Sequence, residues 1–279
     1  NPLEIWVGTG EANNRNSTSW GHGIYVSRDG GKTFQNQGLE QTGHIARVVL
    51  NPRNPNEICA CASGHLWGYS GERGLFISRD GGKSWSKPEK GLPEDGKTGC
   101  TDLVRDPDNP NILYAAMYHR LRQPWTFYSG GIQGGIYKSI DNGKSWQKLT
   151  AGLPGGETGR IGLAIAQSNP RILMALIEAR ASNSLDQPGS GLYRSEDGGK
   201  SWKYVNTYNN RPFYYSQVRI NPVDPQIVYL LTTRFMVSTD GGKTLENGSA
   251  DQEIHGDFHA MWLDPQDGNR YYMGADKGV

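Results

Sequence analysis

One block of eight residues occurs five times along the chain, first as Ser27-Arg28-Asp29-Gly30-Gly31-Lys32-Thr33-Phe34, then as SRDGGKSW from Ser78, SIDNGKSW from Ser139, SEDGGKSW from Ser195 and STDGGKTL from Ser238. Its aspartates, Asp29, Asp80, Asp141, Asp197 and Asp240, recur at intervals of about 40 to 60 residues, the length of a four-stranded blade and too long for a short solenoid turn. Each block follows an alternating strand such as Gly23-Ile24-Tyr25-Val26 or Gly74-Leu75-Phe76-Ile77, which places it in a hairpin. There the carboxylate can accept backbone N–H bonds across the turn, the glycines supply positive φ, and the closing aromatic can pack between sheets. Catalysis or metal binding by these aspartates is the alternative; five copies of one local chemistry favour a shared folding role.

A second block fills the other half of each repeat. It reads Leu50-Asn51-Pro52-Arg53-Asn54-Pro55-Asn56, Arg105-Asp106-Pro107-Asp108-Asn109-Pro110-Asn111 and Ile220-Asn221-Pro222-Val223-Asp224-Pro225, with a shorter Ser168-Asn169-Pro170. Each is a proline-rich turn between apolar strands. With the blade strands named A to D, this turn joins A to B and the aspartate block joins C to D. Antiparallel strands reverse at every hairpin, so both turns share one face. The B-to-C and D-to-A connections take the other, and the long ones are Thr9 to Gly23, Ser63 to Gly74, Tyr118 to Gly134 and Glu178 to Gly191. Variable loops on a rigid scaffold are the usual place for binding or catalysis.

These blocks predict an all-β chain of four-stranded antiparallel blades forming a β-propeller over residues 1–279. It would contain a partial blade at 1–43, blades at about 44–97, 98–155, 156–209 and 210–250, and a partial blade at 251–279. The interrupted count reads as an excerpt from a larger ring, with a discontinuous or swapped closure as the alternative. Thirty-eight glycines and fifteen prolines agree with many tight turns and no helices. A formal net charge of +1, without a basic stripe, argues against nucleic acid as a partner. No apolar run reaches the roughly 20 residues of a membrane span. Three cysteines, Cys59, Cys61 and Cys100, are too few for a disulfide framework and read as buried core thiols. Cys59 and Cys61 share a strand face like half a metal site, yet no second Cys or His pair stands at ligand spacing.

The five blocks resemble the Asp-box, or bacterial neuraminidase, repeat. Nearly the whole chain is similar to sortilin-type propellers and to bacterial glycosyl-hydrolase-like repeat proteins. Gly8-Thr9-Gly10-Glu11-Ala12-Asn13, Gly64-His65-Leu66-Trp67-Gly68, Gly159-Arg160-Ile161-Gly162, Tyr214-Tyr215-Ser216-Gln217 and Gly256-Asp257-Phe258-His259 carry the closer likeness to large bacterial members. The resemblance implies a fold far more firmly than an activity, because sialidases, xyloglucanases, photosystem assembly factors and sorting receptors share the repeat. No Arg-Ile-Pro element, arginine triad or tyrosine nucleophile of the sialidase type stands out.

On the loop face, Trp20, Trp67 and Trp125, joined by Tyr69, Phe127 and Tyr128, offer flat apolar surfaces to a sugar or serve to pin long loops. Glu11, Glu178 and Asp257 are the candidate catalytic carboxylates; a glycosidase needs two, at roughly 5 Å for retention or about 6.5 to 9.5 Å for inversion. His65, Arg120, Arg160, Tyr215 and His259 join the tryptophans as candidate ligand contacts. Arg122 and Arg211 could also clamp an anion. The segment from His255 through Asp257 to His259 could share a cation, though no metal or other cofactor is assigned. The resulting expectation is a secreted, periplasmic or cell-surface propeller that binds a glycan, a protein or other parts of a larger parent chain. The alternative is a glycoside hydrolase or lyase with carboxylates in the central funnel.

Overall fold

The computed structural model describes residues 1–13, 15, 17–180, 184–248, 256–276 and 278. The chain divides into two compact units, one of residues 1–105 and 109–148, the other of residues 106–108 and 149–279. Both are built of antiparallel sheets whose strands follow one another in chain order.

In the first unit, β1 (Ile5–Gly8), β2 (Ile24–Ser27) and β3 (Gln35–Asn36) form one sheet, and β4 (Ile45–Asn51), β5 (Asn54–Ala62) and β6 (Gly74–Ser78) form the next. The third contains β7 (Thr98–Arg105), β8 (Leu113–Gln123), β10 (Gly135–Ser139) and β11 (Gln147–Lys148), with β9 (Thr126–Ser129) folding back on the far end of β8. In the second unit, β12 (Ile161–Ile165), β13 (Leu173–Ile177), β14 (Gly191–Ser195) and β15 (Lys203–Asn206) form a four-stranded sheet. Another follows from β16 (Gln217–Ile220), β17 (Val228–Leu231), β18 (Phe235–Ser238) and β19 (Glu246–Asn247), and β20 (Phe258–Asp264) pairs with β21 (Asp267–Ala275).

The cores lie between neighbouring sheets of the same unit. Cys59, Leu75 and Ile77 of one sheet pack on Leu103, Leu113 and Trp146 of the next, and Met174, Leu176 and Leu192 pack on Val218, Val228 and Leu230. Each such side chain contributes about 1.5 to 3 kcal/mol on leaving water. The strand β13 is buried along its whole length, as a strand covered on both faces must be.

The five Ser-x-Asp hairpins are near copies of one another. In the first, Ser27 Oγ donates to Asp29 Oδ1 at 2.8 Å and accepts from Gly31 N at 2.8 Å, while Thr33 donates its N–H to Asp29 Oδ1 at 2.9 Å and its hydroxyl to Oδ2 at 2.6 Å. Ser84, Ser145, Ser201 and Thr244 repeat the last contacts on Asp80, Asp141, Asp197 and Asp240. These donors hold all five carboxyls down at about 2. The third hairpin places Asn142 where the others have glycine, at φ 57°, a conformation asparagine tolerates. Its amide donates to Glu57 and accepts from Arg105 Nη1 at 2.9 Å, tying two sheets together beneath the turn.

Two cysteines depart from the expected thiols. Cys61 of β5 and Cys100 of β7 sit on adjacent sheets with 4.9 Å between their Cα atoms and form a disulfide. Closing a loop of 39 residues stabilises the fold by about 4 kcal/mol in the chain-entropy picture. Cys59 stays a buried thiol, so its shared strand face with Cys61 serves a disulfide and not half a metal site.

Candidate functional site

The long loops gather polar and aromatic side chains into one cluster in each unit. In the first, the loop from Thr9 to Gly23 closes on itself through Glu11, which bonds Ser19 with both its backbone N–H, at 2.9 Å, and its side chain, where Oε2 accepts from Ser19 N at 3.2 Å. Gly21 must be glycine, because a Cβ there would lie 2.2 Å from the Thr9 carbonyl carbon. Trp20 stands out from this loop, 64% exposed, with its ring edge-on to His65 at 5.1 Å.

The next loop is organised by Arg73. Its buried guanidinium donates to the carbonyls of Lys97 at 3.0 Å, Arg120 at 2.7 Å and Gly68 at 2.8 Å, and to that of His65. Burial draws its pKa down to about 10. Trp67 and Tyr69 project from the loop so held, both about half exposed. Tyr69 Oη lies 3.2 Å from His119 Nε2, and the His119 ring stacks on Tyr128 at 6.4 Å. The segment from Tyr118 to Gly134, expected as a loop, starts as the continuation of β8 and turns back as β9, with Trp125 at the tip and 78% exposed. Arg120 does not reach this surface. It is buried and donates to the Arg15 carbonyl at 3.2 Å.

Beneath the two loops His44 is wholly buried. Its Nδ1 donates to the Gly64 carbonyl at 3.0 Å, leaving Nε2 to accept from the Thr18 hydroxyl at 2.9 Å. Burial lowers its pKa to about 4 against the pull of that carbonyl, and Arg120, His65 and Arg73 add to the lowering.

The second unit assembles a different set. Glu178 Oε2 accepts from Arg160 N at 2.8 Å, and Gly159 leaves room for that carboxylate, which a Cβ would meet at 2.2 Å. Arg160 is buried, its guanidinium donating to the carbonyls of Tyr214 and Phe213. Arg211 lies over both tyrosine rings, 5.3 Å from Tyr214 and 5.8 Å from Tyr215. The buried Tyr215 stacks on His259 at 5.5 Å, and His259 Nε2 donates to Asp276 Oδ1 at 2.8 Å. Burial and the neighbouring Asp257 carboxylate push the Tyr215 phenol far above its ordinary range. Arg211, Ser216 and Asp257 hold positive φ of 47°, 43° and 69°, a strained region for residues with a Cβ that is concentrated at functional sites.

Trp20, His65, Trp67 and Trp125 are thus placed in the first unit with Glu11, and Arg160, Glu178, Tyr215, Asp257 and His259 in the second. His255 lies outside the described residues. Among those residues no three His, Cys, Asp or Glu side chains are grouped to hold a metal ion. Arg73 and His44 are contributions the sequence did not announce. Their partners are backbone carbonyls and a hydroxyl, which leave no motif.

Successive antiparallel sheets, five of them turned by a Ser-x-Asp hairpin, define a β-propeller protein. The chain belongs to the Sortilin-Vps10 family, whose model, described as sortilin, neurotensin receptor 3, matches residues 22–181. An oligoxyloglucan reducing end-specific xyloglucanase of Emericella nidulans is 25% identical over 236 residues, 72% of this chain and 25% of that protein. A xyloglucanase of a Paenibacillus species is 28% identical over 216 residues, 75% of this chain and 18% of that one. The chain therefore spans a quarter or less of the length of these curated relatives. In fold it is similar to an ancestral GH74 enzyme, with a TM-score of 0.67 at 20% identity over 97% of this chain and 35% of that one. The GH74 xyloglucanase of Xanthomonas campestris gives 0.62 at 18% identity over 86% and 35%.

Proposed function

We propose that the chain is the polysaccharide-engaging part of a glycoside-hydrolase-like propeller, and that the first unit holds a β-glucan of the xyloglucan type. The observation that carries this reading is the exposure of Trp20, Trp67, Tyr69, Trp125 and Tyr128 on its loops. Flat apolar rings left in water at this density suit the apolar faces of sugar rings. The names of the relatives support a xyloglucan-type ligand. Retention on a xyloglucan affinity gel tests it. Delayed migration that disappears in Trp67→Ala and Trp125→Ala is the expected result, and migration unaffected by the polysaccharide overturns it.

Recognition without turnover is the second reading. It is favoured by the occupation of two candidate carboxylates, Glu11 by the Ser19 amide and Glu178 by the Arg160 amide. Asp257 is the acid we assign to catalysis if turnover occurs, because it sits at strained backbone beside Tyr215. Release of reducing ends from xyloglucan, lost in Asp257→Asn, decides between the two. The Cys61–Cys100 disulfide supports an oxidising location, secreted, periplasmic or at the cell surface.

A further inference from the structure

We infer that His44 is a positioning residue that, as a buried neutral ring among basic groups, clasps the Trp20 loop to the Trp67 loop, so that acid loosens the aromatic surface of the first unit. The clasp is direct: one ring nitrogen is spent on the carbonyl of Gly64, three residues before Trp67, and the other on the hydroxyl of Thr18, two residues before Trp20. A carbonyl can only accept, so Nδ1 carries the proton and Nε2 is the acceptor. A second proton makes both nitrogens donors, so the Thr18 hydroxyl must turn from donor to acceptor to keep its contact.

It also puts a cation in a place with no exposure to water. The charged or titratable groups that face it are Arg120 of β8, Arg73 ahead of β6 and His65 of the loop itself, all basic. The two arginines cannot move aside cheaply. Arg73 is bound to four carbonyls of this same assembly, and Arg120 holds the Arg15 carbonyl. The low pKa of about 4 agrees with this geometry. A ring that is freed when the loops part returns to the ordinary value of about 6.5, so protons favour the parted loops throughout the interval between.

The inference rests on the glycan-binding reading, and the first measurement keeps the two apart by using no sugar. The histidine ring resonances and backbone amides of the whole chain are followed by NMR from about pH 7.5 to about pH 4. The His44 ring and the Thr18 and Gly64 amides are expected to titrate together. Amide shifts that stay fixed while the ring titrates overturn the clasp, whatever the sugar does. Coupled titration with no sugar bound at any pH leaves the clasp standing and removes the glycan reading alone.

Calorimetry with a xyloglucan oligosaccharide then reads the consequence, an affinity at least about tenfold weaker at pH 4.5 than at pH 7.5. His44→Gln offers a non-titrating donor for Gly64 and acceptor for Thr18, and is expected to abolish that pH dependence. An acid loss that persists in a folded His44→Gln protein overturns the role of His44. Should this variant fail to fold, Thr18→Val removes one side of the clasp, so that the loops part more readily and the ring moves towards its ordinary value. The His44 midpoint is expected to rise; a midpoint that does not move overturns the clasp.

Discussion

The two loop clusters solve opposite problems with similar residues. In the first unit the rings face water, Trp125 at 78% and Trp20 at 64% exposure, and the buried groups beneath them are cations spent on backbone carbonyls. In the second the rings are inside, Tyr215 at 1% exposure, and the polar groups, Arg211 and the His259–Asp276 pair, lie around them. The first cluster leaves its rings in solvent, whereas the second packs its rings among polar groups. Substitution of a ring should therefore cost the first little stability, while the second can change only by repacking.

Acid breaks this contrast most severely, because the Ser-x-Asp hairpins are the same in both units. Their carboxylates are held at about 2, below the ordinary value near 4, so their stabilisation is complete above pH 4 and is lost as pH falls through 2. Thermal unfolding midpoints measured stepwise from about pH 5 to about pH 2 should drop in a single transition for both units. Tyr215→Ala comes next, with an expected loss of about 3 to 5 kcal/mol in urea unfolding, since it empties a buried aromatic site. Trp125→Ala sharpens the comparison from the other side: stability within about 0.5 kcal/mol of the parent, but xyloglucan affinity weaker by about tenfold. Asp276→Asn should cost the least, under about 1 kcal/mol, because its carboxylate is half exposed and its pair with His259 is screened. A Tyr215→Ala protein as stable as Trp125→Ala would erase the distinction.

What the sequence disclosed about this molecule depended on how far apart the interacting residues are. Each Ser-x-Asp hairpin bonds within four residues, as from Ser27 Oγ to Gly31 N, and each proline turn is fixed by a nearby side chain, as when Asn221 Oδ1 accepts from Val223 N at 3.0 Å. Such contacts are written into the local order of residues, so the repeated strand-and-hairpin pattern could be read directly. Arg73 meets Arg120 across 47 positions and Cys61 meets Cys100 across 39, and nothing beside either residue marks the partner. The β8 extension through Gln123 was hidden for another reason. The segment Tyr-His-Arg-Leu-Arg-Gln is polar and half exposed only towards its end, so apolar alternation fades although the ladder continues to Arg122 and Phe127. Exposure of the tryptophans was equally unreadable, since a ring that pins a loop and a ring that awaits a sugar occupy the same kind of glycine-rich sequence.

The bonding of the hairpins bears on how such a chain can grow. A turn whose serine and aspartate bonds stay within four residues, and whose recurring outside bond, as from Gly81 N to the Asn56 carbonyl, goes to the other turn of its own sheet, can be copied together with that sheet as a transferable unit. The third hairpin adds side-chain ties beyond these. With Asn142 bound to Glu57 and Arg105, it carries an address, and a transplant of Ser139–Trp146 into another repeat would arrive without the acid and the guanidinium that complete it.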